Sequence, residues 1–343
     1  MKALLKFRNT LQVLVIVLLF ISACTGDPST WVRNTNAGPA LGTSYSIIYL
    51  TKDSTDLQTG IDSVFNAVNA SMSTYIPDSD ISRINKGDTS VHVDHMFIEV
   101  LAISKEVYQN TEGYFDPTVG ILVNAWGFGP EAGIQMDSAY VNSLLHYVGL
   151  NKVSLTQDNR ILKEQPEIQL DFNAIAKGYT IDRLAAYLDA QGIKNYLVEV
   201  GGEIITKGEN RVKQKRWVVG VDDPQVELGR QLKITLNLKD KALASSGNYR
   251  KFRIDSLTGV KYVHTIDPKT GFTKNSNILA ATVVAETCAM ADAYATAFMA
   301  MDLPNSIALL EQQKDLEGYI IYLDAGGQAT EFMTAGFKKM VNK

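Results

Sequence analysis

Apolar and polar positions along the chain switch between an extended and a helical period. Residues 41–50 are rich in β-branched and aromatic side chains, which predicts a strand. From 56 to 72 apolar residues recur every three or four positions, which predicts a helix. The same patterns predict helices at 94–108, 137–148, 173–190, 287–301 and 304–313, and strands near Val153, Ile161 and Ile168, at 196–200 and at 318–323.

Two further regions complete the prediction of the fold. Residues 114–129, rich in Gly, Pro and aromatics, are expected to form an ordered loop, and 217–284 consists mostly of short β segments divided by turns. Strands and helices alternate irregularly. This favours the α+β class over a doubly wound α/β sheet, and the length allows one large domain or two smaller ones.

The first 23 residues have the pattern of a targeting segment. A basic start precedes an apolar run at 13–21 that is too short to span a bilayer. Small residues before Cys24 indicate a bacterial lipoprotein signal, with Cys24 as the lipidated first residue of the mature protein. An ordinary secretory signal with an incidental cysteine is the alternative. We expect an exported, membrane-anchored lipoprotein facing the periplasm or the cell exterior, because acyl chains anchor by burying CH₂ groups at about 0.8 kcal/mol each.

The rest of the chain is expected to be a polar tether at 24–39 followed by a folded domain at 40–343. Without the three basic residues of the signal, 30 Lys and Arg face 37 Asp and Glu, a net charge of −7. This mild acidity argues against a nucleic-acid partner. Cys288 would be the one cysteine left, so the exported fold cannot rely on an internal disulfide.

Two distant segments carry the chemistry. Asp292 and Thr296 are four residues apart in an Ala-rich predicted helix, so a carboxylate and a hydroxyl share one face. Both are hard oxygen donors of the kind that Mg²⁺ prefers. Segment 171–178 places Asp171 and Lys177 beside a glycine that could let a phosphate approach. Together they suggest a metal and phosphate site, although a surface Asp and a core Thr would give the same spacing.

Other segments supply candidate ligand contacts, each with a structural alternative. His264, at the end of a strand-like run, could bind phosphate or move a proton, or be a structural histidine. The turn after Ser245 could hold phosphate or ribose, or only connect two strands. Tyr75 and the rigid 114–129 segment could wall an aromatic ligand, or simply pack. The chain lacks the Walker, Rossmann and nucleophile-elbow motifs.

Taken together, these segments resemble the ApbE family of FAD:protein FMN transferases. The matching motifs occur in family order over nearly the whole mature chain: GT at 42–43, MSTY at 72–75, DISRIN at 80–85, FDPTVG at 115–120 with WGFG at 126–129, DFNAIAKG at 171–178, GGE at 201–203, SGNY at 246–249, HTIDPKTG at 264–271 and ADAYAT at 291–296.

The resemblance implies an α+β, T-fold-like catalytic domain that uses FAD as substrate and Mg²⁺ as cofactor. Such enzymes move the FMN half of FAD onto a Thr or Ser hydroxyl of an acceptor protein and release AMP. The implied acceptors are subunits of membrane redox complexes, of the sodium-pumping quinone reductase or Rnf type. Two alternatives stay open: a Mg²⁺-dependent FAD pyrophosphatase that yields FMN and AMP, and a non-enzymatic flavin-binding lipoprotein.

The resemblance also implies residue roles. The Mg²⁺ ligands would be Asp292, Thr296 and the carbonyls of Ala174 and Ala295. His264, Lys177 and Asp292 would be catalytic, with His264 or a carboxylate taking the proton of the acceptor hydroxyl. The residues expected to contact FAD are Leu41, Tyr75, Tyr114, Phe115, Asp116, Thr118, Asp171, Lys177, Ser246, His264 and Ile266. Leu41 departs from the methionine usual in the family, and its similar volume should preserve the packing.

Overall fold

The computed structural model describes residues 31–130, 136–226, 231–248, 252–254, 261–274 and 276–342. Within them, eight strands form one sheet in which every neighbouring pair is antiparallel. In their order across the sheet they are β1 (Val32–Ala40), β2 (Thr43–Thr51), β5 (Tyr196–Val200), β6 (Glu203–Lys207), β9 (Lys241–Gly247), β12 (Ile278–Ala285), β13 (Glu317–Leu323) and β14 (Ala329–Met333).

The remaining described elements lie outside this sheet. The two-stranded pairs are β3 (Val153–Leu155) with β4 (Ile161–Lys163), β7 (Trp217–Asp222) with β8 (Leu232–Leu238), and β10 (Phe252–Ile254) with β11 (Lys261–Val263). The helices are α1 (Gln58–Met72), α2 (Asp80–Asn85), α3 (His95–Asn110), α4 (Gly120–Ala125), α5 (Ser138–Leu145), α6 (Ala176–Ala190), α7 (Cys288–Ala300), α8 (Leu303–Gln312) and α9 (Ala335–Met340). This mixture confirms the predicted α+β class.

The sheet is covered on both faces. Helices α1, α3, α6 and α7 cover one face, while the β7–β8 pair and α9 cover the other. Side chains alternate accordingly: on β6, Ile204 packs towards β7–β8 and Ile205 towards α6. Helix α7 packs on β9 and β12 and beside α6, and nearly all of its residues are buried. A helix that is apolar on all sides must be enclosed in this way.

The predicted tether at 24–39 is wrong for residues 32–39, because β1 pairs with β2 along its whole length. The polar composition was misleading, since the inward side chains of this edge strand are amides with partners. Asn34 donates to Thr51 Oγ1 at 2.6 Å, and Asn36 donates to Asp56 Oδ1 at 2.9 Å. Buried amides satisfied in this way cost little. The folded domain therefore includes β1 and does not begin at residue 40.

Most predicted elements are present, with changes at some boundaries. The predicted loop at 114–129 contains α4, and the helix predicted to start at 173 starts at Ala176. Near Ile168, Gln169 makes only a single parallel bridge with Val119. The targeting segment and Cys24 lie outside the described residues. In the part of the chain that is described, no helix is long and apolar enough to cross a membrane.

Candidate functional site

The candidate site is built where α6 crosses α7. Gly178 makes this crossing close: a Cβ at that position would lie 2.3 Å from the Cys288 carbonyl oxygen and 2.8 Å from Asp292 Cβ. The Gly178 N–H donates to Asp292 Oδ2 at 3.0 Å. The glycine in the 171–178 motif therefore serves helix packing, and it brings Asp292 against the first turn of α6.

A second carboxylate, that of Asp182, also joins α6 to α7. Asp182 on α6 accepts the N–H groups of Cys288 at 2.7 Å and Ala289 at 2.8 Å. These are unpaired donors of the first turn of α7, so Asp182 caps that helix across the interface. Burial raises the pKa of Asp182 to about 7, although both N–H bonds favour its ionised form.

Asp292 is a buried carboxylate, 4% exposed. Burial raises its pKa to about 6, against the opposing effects of the Lys177 ammonium and the Gly178 N–H. Burial destabilises the charged form of this carboxylate, and a bound cation would stabilise that form. The environment of Asp292 therefore suits a metal ligand.

Lys177, one residue before Gly178, forms an ion pair with Glu203. Its Nζ lies 2.6 Å from Glu203 Oε1, and Glu203 is 4% exposed at the start of β6. Burial and the charge of Asp292 raise the pKa of Glu203 above its usual value, while Lys177 opposes them. Burial lowers the pKa of Lys177, but the charges of Glu203 and Asp292 outweigh it, so the net shift is upward. Lys177 is therefore held in its charged form.

Thr296, one turn after Asp292, meets the sheet. Its Oγ1 lies 3.2 Å from Ser246 Oγ on β9, which brings two predicted site residues together. Ala295 is fully buried beside it, and Ala174 is half-buried just before α6. One carboxylate, hydroxyls and backbone carbonyls are hard oxygen donors that fit Mg²⁺. The described residues contain no cluster of three or more His, Cys, Asp or Glu side chains that could hold a metal, so any such site depends on mixed donors.

Tyr75 and Asp171, two of the residues predicted to contact FAD, lie near each other. Tyr75 is 59% exposed, and both burial of its hydroxyl and the charge of Asp171 raise its pKa. The Asn173 amide reaches Thr74 Oγ1 at 3.4 Å, which joins the two segments. Asp171 is partly exposed. Burial nevertheless raises the pKa of its carboxyl group, although the hydrogen bond from the Asn173 N–H has the opposite effect. An exposed aromatic ring beside a carboxylate can stack on a ligand.

The side chains of the 115–118 segment point inward. Asp116 Oδ1 accepts from the Thr118 N–H at 2.8 Å and its hydroxyl at 2.6 Å, and Asp116 Oδ2 accepts from the Leu150 N–H at 3.2 Å. Burial raises the pKa of Asp116 to about 6. Phe115 belongs to the main core, whereas Tyr114 is half-buried with Lys269 Nζ 4.1 Å from its ring centroid. Of these predicted FAD contacts, Tyr114 is the most accessible.

His264 stands beside the strand that carries Ser246. It is half-buried, and the next residue, Thr265, donates to Asn248 at the end of β9 at 2.7 Å. Ile266 is buried against α4 and α5. Tyr249, part of the same predicted motif, lies outside the described residues.

Leu41 occupies the β1–β2 turn with a positive φ of 51°. This turn reaches the site through its neighbours: Gly201 donates its N–H to the Ser44 carbonyl at 2.9 Å, and a Cβ on Gly201 would lie 3.5 Å from Lys177 Cδ. Leu41 itself packs against the cluster formed by β2, β5 and α6.

Glu203 and Asp182 are the site residues that the sequence did not reveal. Glu203 was visible only as the residue after a Gly-Gly turn, and Asp182 only as a polar position within a helix. Their importance depends on burial against segments far away in the chain. The Gly-Gly turn next to an acid was the one available signal for Glu203.

Comparison with known proteins shows which family the chain is similar to. The family model described as ApbE family matches residues 41–320. The FAD:protein FMN transferase of Vibrio cholerae is 36% identical over 98% of this chain and 100% of its own length. That of Haemophilus influenzae is 31% identical over 97% of this chain and 98% of its own.

Solved structures give the same result. The flavin transferase ApbE from Vibrio cholerae matches with a TM-score of 0.81 and 34% identity, covering 91% of this chain and 100% of that one. The apo form of Pseudomonas stutzeri flavinyl transferase ApbE matches with a TM-score of 0.79 and 26% identity, covering 90% and 97%. This chain therefore belongs to the ApbE family.

Proposed function

We propose that this protein is a FAD:protein FMN transferase. It moves the FMN half of FAD onto a Thr or Ser hydroxyl of an acceptor protein and releases AMP. The relatives that carry this name match over nearly the full length of the chain. The observation that carries the proposal is the buried group at the α6–α7 crossing, where Asp292 and the Lys177–Glu203 pair meet.

The reaction breaks the pyrophosphate bond and forms a phosphoester. The acceptor oxygen attacks the FMN phosphorus, the acceptor hydroxyl loses its proton, and AMP leaves with the bridging oxygen. Negative charge develops on the phosphate oxygens, and a fixed ammonium such as that of Lys177 stabilises it. His264 is our candidate for taking the proton, since an imidazole is the side chain best matched to neutral pH.

The donor set fits Mg²⁺ as a cofactor. Asp292, Thr296 and the carbonyls of Ala174 and Ala295 would hold it, and a bound Mg²⁺ would neutralise charge on the pyrophosphate. Binding of FAD is assigned to Tyr75 as the stacking platform for the flavin, with Leu41, Tyr114 and Asp171 around it.

The test uses the full-length protein, purified in detergent, with FAD, Mg²⁺ and a candidate acceptor subunit of a sodium-pumping quinone reductase or an Rnf complex. AMP is followed by chromatography and the acceptor by intact mass. The expected result is AMP release with an FMN adduct on the acceptor, abolished when the acceptor Thr or Ser is replaced by Ala. AMP with free FMN and no adduct would instead indicate a pyrophosphatase, and bound intact FAD would indicate a flavin-binding protein.

We also propose that the protein is an exported lipoprotein anchored through Cys24. The support is the sequence pattern of a basic start, an apolar run and small residues before the cysteine. In bacterial cells, Cys24→Ser should move the protein from the membrane fraction to the soluble or unprocessed fraction. Retention of the variant in the membrane as a mature-sized chain would contradict the anchor.

A further inference from the structure

Glu203 is placed at the site by a tight turn. Gly201 and Gly202 join β5 to β6 with φ values of 60° and 104°, a backbone conformation that suits glycine. The first residue after the turn is Glu203, which pairs with Val200 across the hairpin. The turn therefore delivers a carboxylate to the helix-covered side of the sheet, facing the start of α6.

The carboxylate of Glu203 is only half satisfied. Oε1 accepts from Lys177 Nζ at 2.6 Å, whereas Oε2 is buried with no hydrogen-bond partner among the described residues. A buried polar atom left without a partner costs about 1–3 kcal/mol. Asp292 adds repulsion from nearby. Stability alone does not account for this arrangement, because well-packed apolar residues often replace buried ion pairs without loss.

The contact with Glu203 holds the Lys177 ammonium in place. A lysine ammonium sits on a flexible four-carbon stem, so an unheld Nζ would sample many positions. The ammonium has three N–H donors, and one bond to Glu203 uses a third of that capacity. Asp292 meanwhile accepts from the Gly178 backbone. The two carboxylates therefore have different contacts: Glu203 holds the ammonium, and Asp292 faces the α6–α7 crossing.

We propose that Glu203 is a positioning residue for the transfer: it fixes the Lys177 ammonium beside Asp292, where that ammonium meets the phosphate oxygens of FAD. The inference rests on the proposed function for its substrate. The geometric part, that Glu203 holds Lys177, stands on the contacts alone. Glu203 acts through Lys177 and does not itself touch the reacting atoms.

Three variants separate positioning from a structural effect. Glu203→Ala removes the contact, and Glu203→Gln keeps an acceptor oxygen at the same reach. Glu199→Gln is the matched control, because Glu199 lies on the same hairpin and accepts the Gly202 N–H at 2.7 Å. Thermal unfolding of each variant establishes that it is folded.

The first readout needs no turnover. Competitive amine labelling without FAD compares Lys177 with Lys207, which pairs with Asp189 at 2.6 Å and serves as the internal reference. Loss of Glu203 removes a contact that holds Lys177 and favours its charged form. Labelling of Lys177 relative to Lys207 should therefore rise several-fold in Glu203→Ala, because the ammonium loses the contact that holds it. It should rise less in Glu203→Gln and not at all in Glu199→Gln. Unchanged labelling in Glu203→Ala would overturn the inference.

The second readout is the split between kcat and KM for FAD in AMP release. A shift of about 1 Å in the position of the Lys177 ammonium can lower the rate about a hundredfold. We therefore expect kcat to fall by about a hundredfold in Glu203→Ala while KM stays nearly unchanged. Glu203→Gln should recover part of it. A change in KM alone, or an equal loss in Glu199→Gln, would refute the positioning role. Absence of AMP release by the wild type would refute the proposed function, and the labelling would still decide whether Glu203 holds Lys177.

Discussion

Replacing Gly178 by alanine would place one methyl group in the closest contact between α6 and α7. The added Cβ would lie 2.3 Å from the Cys288 carbonyl oxygen, 2.7 Å from its carbon and 2.8 Å from Asp292 Cβ. The first two atoms are backbone, so no rotamer change relieves the contact. Ordinary contact begins at 3.4 Å, which requires the helices to separate locally by about 1.1 Å.

Two effects of this substitution oppose each other. Alanine is better than glycine inside a helix by about 1 kcal/mol. Overpacking a tight interior costs about 1–3 kcal/mol, so the net loss in unfolding free energy should be about 0–2 kcal/mol. The effect on activity should be larger, because a shift of about 1 Å at Asp292 and Lys177 can reduce the rate about a hundredfold.

The assay pairs urea unfolding with Mg²⁺-dependent AMP release from FAD. Gly60→Ala is the matched control: it also adds a methyl group in a helix against α6, at 2.0 Å from the Tyr187 hydroxyl. That neighbour is the far end of a side chain, which can move aside. We expect Gly60→Ala to keep its activity and Gly178→Ala to lose it while remaining folded.

The reasoning would be refuted if Gly178→Ala matched Gly60→Ala in AMP release. That result would mean either that the helices adapt without moving Asp292, or that the α6–α7 crossing is not where the chemistry occurs. A large loss of stability without loss of specific activity in the folded fraction would also count against it. Both outcomes can be read from the same two measurements.

Three further predictions follow from the buried carboxylates. Asp292→Asn keeps an acceptor for the Gly178 N–H but loses the charge, so Mg²⁺-dependent AMP release should fall about a hundredfold or more, and full turnover would exclude Asp292 as a metal ligand. Asp116→Asn sets an amide donor against an N–H that Asp116 accepts, so urea unfolding should show a loss of about 1–3 kcal/mol, and a loss below about 0.5 would contradict this. Burial raises the pKa of Asp182 to about 7 and that of Asp292 to about 6, and it also raises the pKa of Glu203. The folded chain therefore binds more protons than the unfolded chain between the unfolded pKa values and these raised ones. Stability without Mg²⁺ should therefore fall as the pH rises from about 5 to about 8, and Glu203→Gln should lessen the fall in melting temperature, whereas an unchanged fall would contradict the shift at Glu203.

Periodicity predicted those elements whose burial is one-sided and apolar. Helix α1 and strand β2 show this, because their inward positions are aliphatic or aromatic. Strand β1 was missed because Asn34 and Asn36 face inward, and only the folded chain supplies their partners. The local sequence pattern carries no information about hydrogen-bond partners that lie far away in the chain.

The residues of the candidate site also differ in how far the sequence predicts them. The four-residue spacing of Asp292 and Thr296 was visible because a helix places such positions on one face. Glu203 was not visible as a site residue, because its contact with Lys177 requires β6 to lie beside the start of α6. The sequence suggests that Gly178 lets a phosphate approach, whereas the structure places it at the crossing of two helices. The sequence of the 171–178 motif does not distinguish these two roles of the glycine.

The enclosure of α7 on all sides determines which parts of the molecule can move during a turnover. Backbone amides in such a helix exchange with solvent only through the largest unfolding events. Asp292 thus belongs to the slowest-opening part of the fold, while Tyr75, more than half exposed, lies on a loop. We therefore expect the Asp292 carboxylate to keep its position when a large ligand binds beside Tyr75 and Tyr114.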